Sequence, residues 1–217
     1  MYLPTHFEEP RIEVMHELMR ARPLATLVMQ SPDGLDANHI PLHLAAGASP
    51  FGSLQGHVAR ANPLGSKLNE NIPVLAIFHG PDAYISPSWY ATKKETGKAV
   101  PTWNYVVVHA HGTLRIIDDA AWLRAQLDAL TTRHEESFPH PWSLSDAPHD
   151  YTEKMISAVI GIEIVISKLS GKWKTSQNQP MANQAGVIDG LRSSERDHST
   201  AMAALIEAHA RKARLPD

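Results

Sequence analysis

Apolar and polar side chains alternate with a period of two in several segments of this chain, and this pattern limits its fold more than any other feature. Residues 38–44 place three aliphatic side chains on one side, and two histidines and a proline on the other. Residues 103–117 and 160–167 alternate in the same way. Because successive side chains of a strand point to opposite faces of the sheet, these segments are typical of half-buried β-strands.

Turns rather than long helices join most of these segments, and the clearest is Ser31-Pro32-Asp33-Gly34. Strands joined by short turns pair antiparallel, whereas a parallel, doubly wound sheet needs a helix after nearly every strand. We therefore predict a mainly β protein with helices (α+β class), an antiparallel β-barrel with peripheral helices. The predicted strands are 24–29, 38–44, 53–59, 73–79, 83–86, 103–117 and 160–167.

Helical periodicity appears in the remaining segments. The predicted helices cover 10–22, 119–136, 151–157 and, as the last of two C-terminal segments, 195–213. The polar residues 87–100 are a candidate functional loop, because a connection of this length is unusual inside a compact domain. We expect one main domain, residues 1–191, with a C-terminal helical extension, residues 192–217, packed on it.

Composition excludes several classes of function. The 217 residues include no cysteine, which removes disulfides, thiolate catalysis and cysteine-based zinc sites. The net charge is −3 and the sequence pI about 6.5, which argues against direct DNA binding. No stretch reaches the roughly 20 apolar residues of a membrane span, and the N-terminus lacks the apolar core of a signal peptide. We expect a cytoplasmic protein with no membrane segment.

The strongest candidate for an anion site is GHVARANP, residues 56–63, where a predicted strand meets a helical turn. A helix N-terminus offers free N–H groups to a phosphate, and an arginine adds a bidentate cation. The residues alone leave a second interpretation open, a plain strand end with a surface arginine. The candidate ligands are His57, Val58, Ala59, Arg60 and Asn62.

Three further segments carry polar or aromatic groups that suit a flat ligand. A proline inside a strand belongs to an edge or a bulge, where backbone groups can bond a ring. That segment is Asn38, His39, Ile40 and Pro41, and an exposed edge strand explains it equally well. The two aromatic-polar clusters are Trp103, Asn104, Tyr105 and Lys172, Trp173, Lys174. Ordinary packing of the tryptophans and a solvated edge at the lysines are the competing interpretations.

Thirteen histidines invite a metal or haem hypothesis. His109 and His111 share a strand face, but no carboxylate is interleaved with them and no HExxH motif is present. We predict no metal site, and a haem or metal binder using histidines remains an alternative.

Taken together, the segments resemble the PaiB family, described as FMN-binding negative transcriptional regulators. The resemblance runs from Met1 to about Leu191. It rests on MYLPTHF, ANHIPL, GHVARANP, FHGPDAYISPSWY, VPTWNYVVVHAHG, GIEI and GKWKTSQN. It implies a split β-barrel of the FMN-binding type, related to the pyridoxamine-phosphate oxidase group and assembled as a homodimer. In that wider group FMN lies at the dimer interface, between strands and phosphate loop of one subunit and aromatic or basic residues of the other.

The resemblance also implies roles for the candidate residues. Residues 38–41 would face the isoalloxazine ring; His57, Arg60 and Asn62 would hold the phosphate; residues 103–105 and 172–174 would line or close the site. One departure is Leu64-Gly65, where the family often has a tryptophan.

The expected function is therefore FMN binding. No catalytic acid or base can be named, so a weak flavin-dependent oxidoreductase activity stays an open question. The alternative is a transcriptional regulator that acts directly or through a metabolite.

Overall fold

The computed structural model describes residues 1–47, 49–67 and 71–212. The chain divides into two compact units, and three long strands contribute residues to both. The first unit comprises 1–15, 79–108 and 170–217, and the second comprises 16–78 and 109–169. The predicted division into 1–191 and 192–217 stays a prediction.

Eight strands lie within the described residues, and every register known for them is antiparallel. Their order in the sheet is β3-β2-β6-β7-β8-β5-β4, with β1 paired to β8. The strands are β1 Glu8–Glu9, β2 Leu24–Ser31, β3 Gly34–Pro41, β4 His43–Ala45, β5 Ser53–Ala59, β6 Ile72–Ile85, β7 Thr102–Ile117 and β8 Val159–Lys174.

Six α-helices surround these strands in the described part of the chain. They are α1 Ile12–Ala21, α2 Ala91–Thr96, α3 Ala120–Glu135, α4 His149–Ser157, α5 Met181–Arg192 and α6 Ser199–Lys212. Short 3₁₀ turns cover Thr5–Phe7, Pro63–Lys67, Pro87–Trp89 and Leu144–Asp146. The predicted α+β class with an antiparallel sheet is confirmed. No helix of the described residues is long and apolar enough to cross a membrane.

In the second unit the period-two alternation produces the expected hairpin. β2 and β3 pair from Leu24↔Pro41 to Ser31↔Gly34, so Pro32-Asp33 forms the tight turn. Gly34, which follows this turn, has a φ of 120°, which other residues rarely adopt. The aliphatic side chains at 40 and 42 are buried and the proline between them is exposed, as the pattern predicts.

The edges of the sheet approach each other in the second unit. A Cβ on Gly56 of β5 would lie 3.1 Å from the carbonyl oxygen of Pro41 on β3. A glycine therefore permits the close approach of two backbones that barrel closure requires.

In the first unit α5 and α6 pack on the end of β6 and on the turn that follows it. The buried cluster is Ala83, Ile85, Tyr90, Val187, Leu191, Met202, Ala203 and Ile206, with Trp89 against it. The indole ring of Trp89 covers Gly190, where a Cβ would come within 2.3 Å of the ring. The apolar residues of the predicted helix 195–213 thus lie on the face of α6 that packs against α5 and β6.

Three predictions about local structure were wrong. The predicted strand 38–44 is interrupted at Leu42: residues up to Pro41 belong to β3, which pairs with β2, and His43–Ala45 form β4, which pairs with β5. The predicted strands 73–79 and 83–86 are one continuous strand, β6. Its buried positions change from even to odd numbers across Gly80-Pro81-Asp82, as an extra residue in a strand would cause. The predicted loop 87–100 contains a 3₁₀ turn and the short helix α2, which ends at Gly97 with a φ of 67°.

Candidate functional site

The segment after β8, Thr175 to Gln177, is a tight turn fixed by its own side chains. Oε1 of Gln177 accepts a hydrogen bond from the N–H of Thr175 at 2.7 Å, and its amide nitrogen donates to the carbonyl of Trp173. Ser176 has a φ of 60°, an uncommon conformation for a residue other than glycine. The turn therefore holds the serine side chain in a defined direction at a backbone cost.

A cavity of about 320 Å³ lies beside this turn in the first unit, and we call it the polar cavity. Its volume is within the range of small-molecule pockets. Amides, hydroxyls and two lysines supply its polar groups: Thr92, Lys98, Thr102, Asn104, Lys174, Ser176, Asn178, Gln179 and Asn183. Phe7, Tyr90 and Val100 contribute apolar walls.

Asn104 is the least exposed polar residue that lines the cavity. It is 1% exposed, and its Nδ2 donates to Ser176 Oγ at 2.8 Å. Its Oδ1 is buried and has no hydrogen-bond partner among the described residues. Because an unsatisfied buried acceptor costs about 1–3 kcal/mol, this oxygen is suited to accept from a ligand or a water in the cavity.

Lys174 places a cation on the same cavity wall. Its Nζ donates to Thr102 Oγ1 at 2.5 Å. Burial lowers the pKa of Lys174, and the charge of Lys172 lowers it further, against an opposing effect of Tyr105. A ligand with an acceptor or negative charge would offset this loss of solvation.

Asn183 of α5 joins the opposite wall to the start of α2. Its Oδ1 accepts from the N–H and hydroxyl of Thr92 at 3.1 and 3.2 Å. Its Nδ2 donates to Gln179 Oε1 at 3.1 Å. These bonds fix the cavity rim before any ligand binds.

The other residues of the two aromatic-polar clusters differ in exposure. Trp173 is buried and packs against Gly171, as ordinary core packing predicts, whereas Trp103 is 53% exposed. Lys172 is buried; its Nζ donates to the carbonyl of Tyr2 at 3.1 Å and lies 5.2 Å from the ring of Tyr105. Of these two tryptophans, only Trp103 has a ring that a ligand could reach from solvent.

The predicted phosphate loop, residues 56–63, lies in the second unit. Arg60 is exposed, and its guanidinium forms a bidentate ion pair with Asp118 at 2.7 and 2.9 Å. It also donates to the carbonyls of Ser157 and Val159. This pairing lowers the pKa of Asp118 through the hydrogen bond from Arg60. An incoming phosphate would have to compete with the carboxylate of Asp118.

Backbone N–H groups of the loop are also engaged. Those of Arg60 and Asn62 donate to the carbonyls of Ala158 and Ala59, and that of Gly65 donates to Asn62. The N–H of Leu64 donates to Asn62 Oδ1 at 3.0 Å. The expected set of free N–H groups at a helix N-terminus is thus largely used inside the protein, and the following 3₁₀ turn has only five residues.

Side chains link the loop to two neighbouring elements. Asn62 Nδ2 donates to Asn38 Oδ1 at 3.1 Å, so the structure brings these two predicted site residues together. His57 Nδ1 bonds Gln126 Oε1 of α3 at 2.9 Å. Val58 is buried in the core and Ala59 is exposed at the strand end.

The strand predicted to face the ring, residues 38–41, presents alternating faces. The side chain of Ile40 is buried, so only its backbone could meet a ligand, whereas His39 and Pro41 are exposed. His39 Nδ1 lies 3.2 Å from Thr26 Oγ1.

Histidine clustering in the structure is limited. The rings of His109 and His111 lie 6.4 Å apart between centroids. Within the described residues, no group of three or more His, Cys, Asp or Glu side chains could hold a metal ion. The haem or metal hypothesis gains no ligand set from this part of the chain.

The predicted residues fall into two groups. Residues 38–41 and 57–62 belong to the second unit, and 103–105 and 172–174 to the first. The sequence interpretation missed Thr92, Ser176 and Asn183. Two local signals were present: the polar segment 87–100, which contains Thr92, and the letters SQN in GKWKTSQN. Asn183 lies in α5, and its contribution depends on tertiary packing.

Residues 1–168 match the family model described as "Putative FMN-binding domain". An uncharacterized protein of Emericella nidulans is 35% identical over 226 aligned residues, covering 88% of this chain and 90% of that protein. The Bacillus subtilis "Protease synthase and sporulation protein PAI 2" is 27% identical, covering 98% of this chain and 99% of that protein. Among solved structures, the FAD and haem binding protein from Mycobacterium smegmatis has a TM-score of 0.56 and 19% identity, covering 77% of this chain and 73% of that one. At this identity the structural likeness concerns the fold.

Proposed function

The chain belongs to the PaiB family of FMN-binding-domain proteins, and on that premise we propose that it binds FMN at a homodimer interface. Family membership supports a flavin ligand. The residues of the polar cavity and of the phosphate loop are the groups that we propose hold it.

The polar cavity fits the polar edge of an isoalloxazine ring. That edge carries an N–H donor between two carbonyl acceptors. Asn104 Oδ1 is a buried acceptor without a partner among the described residues, and the ammonium of Lys174 is a donor that burial has left poorly solvated. Asn104 would accept from the ring N–H, and Lys174 would donate to a ring acceptor. A cation at this place favours a ring that gains negative charge.

The phosphate loop can bind an FMN phosphate only if the guanidinium of Arg60 bonds the phosphate and Asp118 together, or if it gives up its ion pair with Asp118. Asp118 and the carbonyls of Ser157 and Val159 engage four of the five N–H donors of the side chain, so one N–H of Nη1 remains for a phosphate while these bonds persist. Asn62 is bonded to Asn38, and this contact would join the phosphate loop to the ring-facing strand.

Bound FMN would supply hydride exchange with a nicotinamide or another small donor or acceptor. The protein would supply position and charge. Lys174 would orient the ring edge.

The observation that carries this proposal is the unpaired Asn104 Oδ1, and Asn104→Leu tests it. If the oxygen binds a ligand, the variant loses FMN affinity by about tenfold or more. Its free energy of unfolding should stay within about 1 kcal/mol of the wild-type value, because the substitution also removes the unsatisfied buried acceptor and the energetic cost of burying it. Asn71→Ala, at an exposed site, is the control and should change neither quantity. A large loss of stability with unchanged FMN affinity would show that Asn104 is structural.

A transcriptional role is a second candidate, implied by the description of the PaiB family as negative transcriptional regulators. The balanced charge of this chain argues that any such role acts through a metabolite. A gel-shift titration at physiological salt should show only weak, salt-sensitive binding to promoter DNA. Specific binding at that salt would instead establish a direct regulator.

A further inference from the structure

A second, smaller cavity lies in the second unit, where the ends of α1 and α3 meet β4. Its volume is about 130 Å³. We call it the cationic pocket, because its polar lining consists of Arg20, His43, Arg133 and His134. The remaining lining is leucine and proline, and none of the described lining residues carries a carboxylate.

The charges that act on His43 in this pocket are all positive. Burial lowers its pKa, and the charges of Arg133, Arg20 and His134 lower it further. Across the strand, His43 is paired with the uncharged Gln55 of β5. The amide of Gln55 donates to Glu163 on β8, whose carboxylate also pairs with Arg115.

Basic residues at helix ends have an ordinary explanation, because a helix C-terminus carries about −0.5 charge. Two such ends offset about one of the two arginine charges. Glu136 offsets part of the second through its 3.0 Å contact with Arg133, but it is 57% exposed and does not line the pocket. Protonation of His43 adds a further positive charge that no group of the described lining offsets.

We propose that the cationic pocket binds a small tetrahedral oxyanion, a phosphate or the phosphate group of a phosphomonoester, and binds it more tightly as His43 gains a proton. The volume equals that of about four water molecules at roughly 30 Å³ each, which admits such an anion but excludes a flavin ring. The two arginines supply forked donors suited to its oxygens.

This pocket is separate from the phosphate loop. His43 is opposite Gln55, and Arg60 follows five residues later along the same extended segment, roughly 16 Å away at the rise of a β-strand. One phosphate cannot contact both. The proposal therefore does not depend on where, or whether, FMN binds.

Sulfate is the appropriate first probe, since it remains a dianion throughout the pH range in which histidine titrates. Calorimetric titration of the Arg60→Ala variant, which removes the phosphate loop as a second anion site, should show one saturable sulfate site per chain, about tenfold tighter at pH 5.5 than at pH 8. His43→Gln should reduce this pH dependence. Absence of saturable binding, or equal binding at both pH values, would overturn the proposal.

Variants on two different helices locate the site. Arg20→Gln and Arg133→Gln should each weaken sulfate binding about tenfold or more, and thermal unfolding identifies any variant that does not fold. Arg124→Gln is the matched control, because it lies on α3 but pairs with Glu153 away from the pocket. An equal loss in the control would mean non-specific attraction and would reject the site.

Inorganic phosphate and ribose 5-phosphate then identify the source of the anion. Tighter binding of the ester assigns the pocket to a phosphomonoester, and equal or weaker binding assigns it to the free anion. Arg20→Gln, which should weaken sulfate binding, should leave an FMN titration unchanged, and a matching loss of FMN affinity in this variant would contradict a separate pocket.

Discussion

Arg60 pairs with Asp118, and we propose that it also holds the FMN phosphate. The two partners compete for the same guanidinium group. Its ion pair with Asp118 and its bonds to two carbonyls tie the end of β5 to the start of β8. Both partners of the ion pair are 42% exposed, so the pair contributes little to stability by itself. An exposed, weak pair is one that a phosphate dianion can displace or share.

Arg60→Ala should weaken FMN binding by about tenfold or more and leave riboflavin binding unchanged, because only FMN carries the phosphate. Fluorescence titration of the two flavins measures both constants. An equal loss for both flavins would show that Arg60 acts on the fold and not on the phosphate.

Asp118→Asn should have the opposite effect. Without the competing carboxylate, Arg60 is available to the phosphate, and FMN binding should tighten severalfold relative to riboflavin. If FMN affinity falls together with riboflavin affinity, the ion pair is needed to hold the loop, and the competition argument is wrong.

The packing of α3 on β8 depends on the absence of a side chain at Gly161. A Cβ at this position would lie 2.5 Å from Cζ3 of Trp122, which stands on the first turn of α3. The N-cap Asp119, which accepts from the N–H of Trp122 at 2.8 Å, fixes where that turn begins. Helix and strand are thus positioned by one glycine and one cap.

Gly161→Ala should lower the free energy of unfolding by about 1–3 kcal/mol, because the indole must move to admit a methyl group. Denaturant unfolding measures the loss. The double variant Gly161→Ala, Trp122→Leu should recover part of it, since the smaller side chain leaves room. A single variant as stable as the wild type would mean that α3 does not pack at this distance.

The sequence predicted elements better than it predicted the site. The alternation in 160–167 was sufficient to predict part of β8, because side chains that alternate in burial every two residues require an extended chain with one buried face. The same alternation continues through 38–44 and therefore did not reveal the break at Leu42 between β3 and β4. Gly80-Pro81-Asp82 was misread since the same residues suit a turn and a bulge. The polar cavity combines residues from β7, α2, α5 and the turn after β8, and no local pattern reports which distant side chains meet.

The assembly that we propose makes each flavin site depend on two subunits. The phosphate loop would come from one subunit, and the aromatic and basic residues from its partner. In a closed dimer two identical sites would result. This arrangement predicts that two variants, each defective in a different part of the site, recover FMN binding when their subunits mix. A site within one chain cannot show this recovery.

Mixing Arg60→Ala with Asn104→Leu, after the dimers dissociate and reassociate, tests this arrangement. Mixed dimers would contain one site with both changes and one with neither. About a quarter of all sites should then bind FMN with wild-type affinity, because half of the dimers are mixed. No recovery in a sample proven to contain mixed dimers would place both residues in a site of one chain.

The central claim is that this chain binds FMN, and a titration of the purified full-length protein with FMN tests it most directly. The flavin absorbance bands should shift as the site fills, and FMN at 100 times its dissociation constant should stabilise the fold by about 2.7 kcal/mol. Unchanged flavin spectra together with an unchanged unfolding temperature in excess FMN would contradict the account.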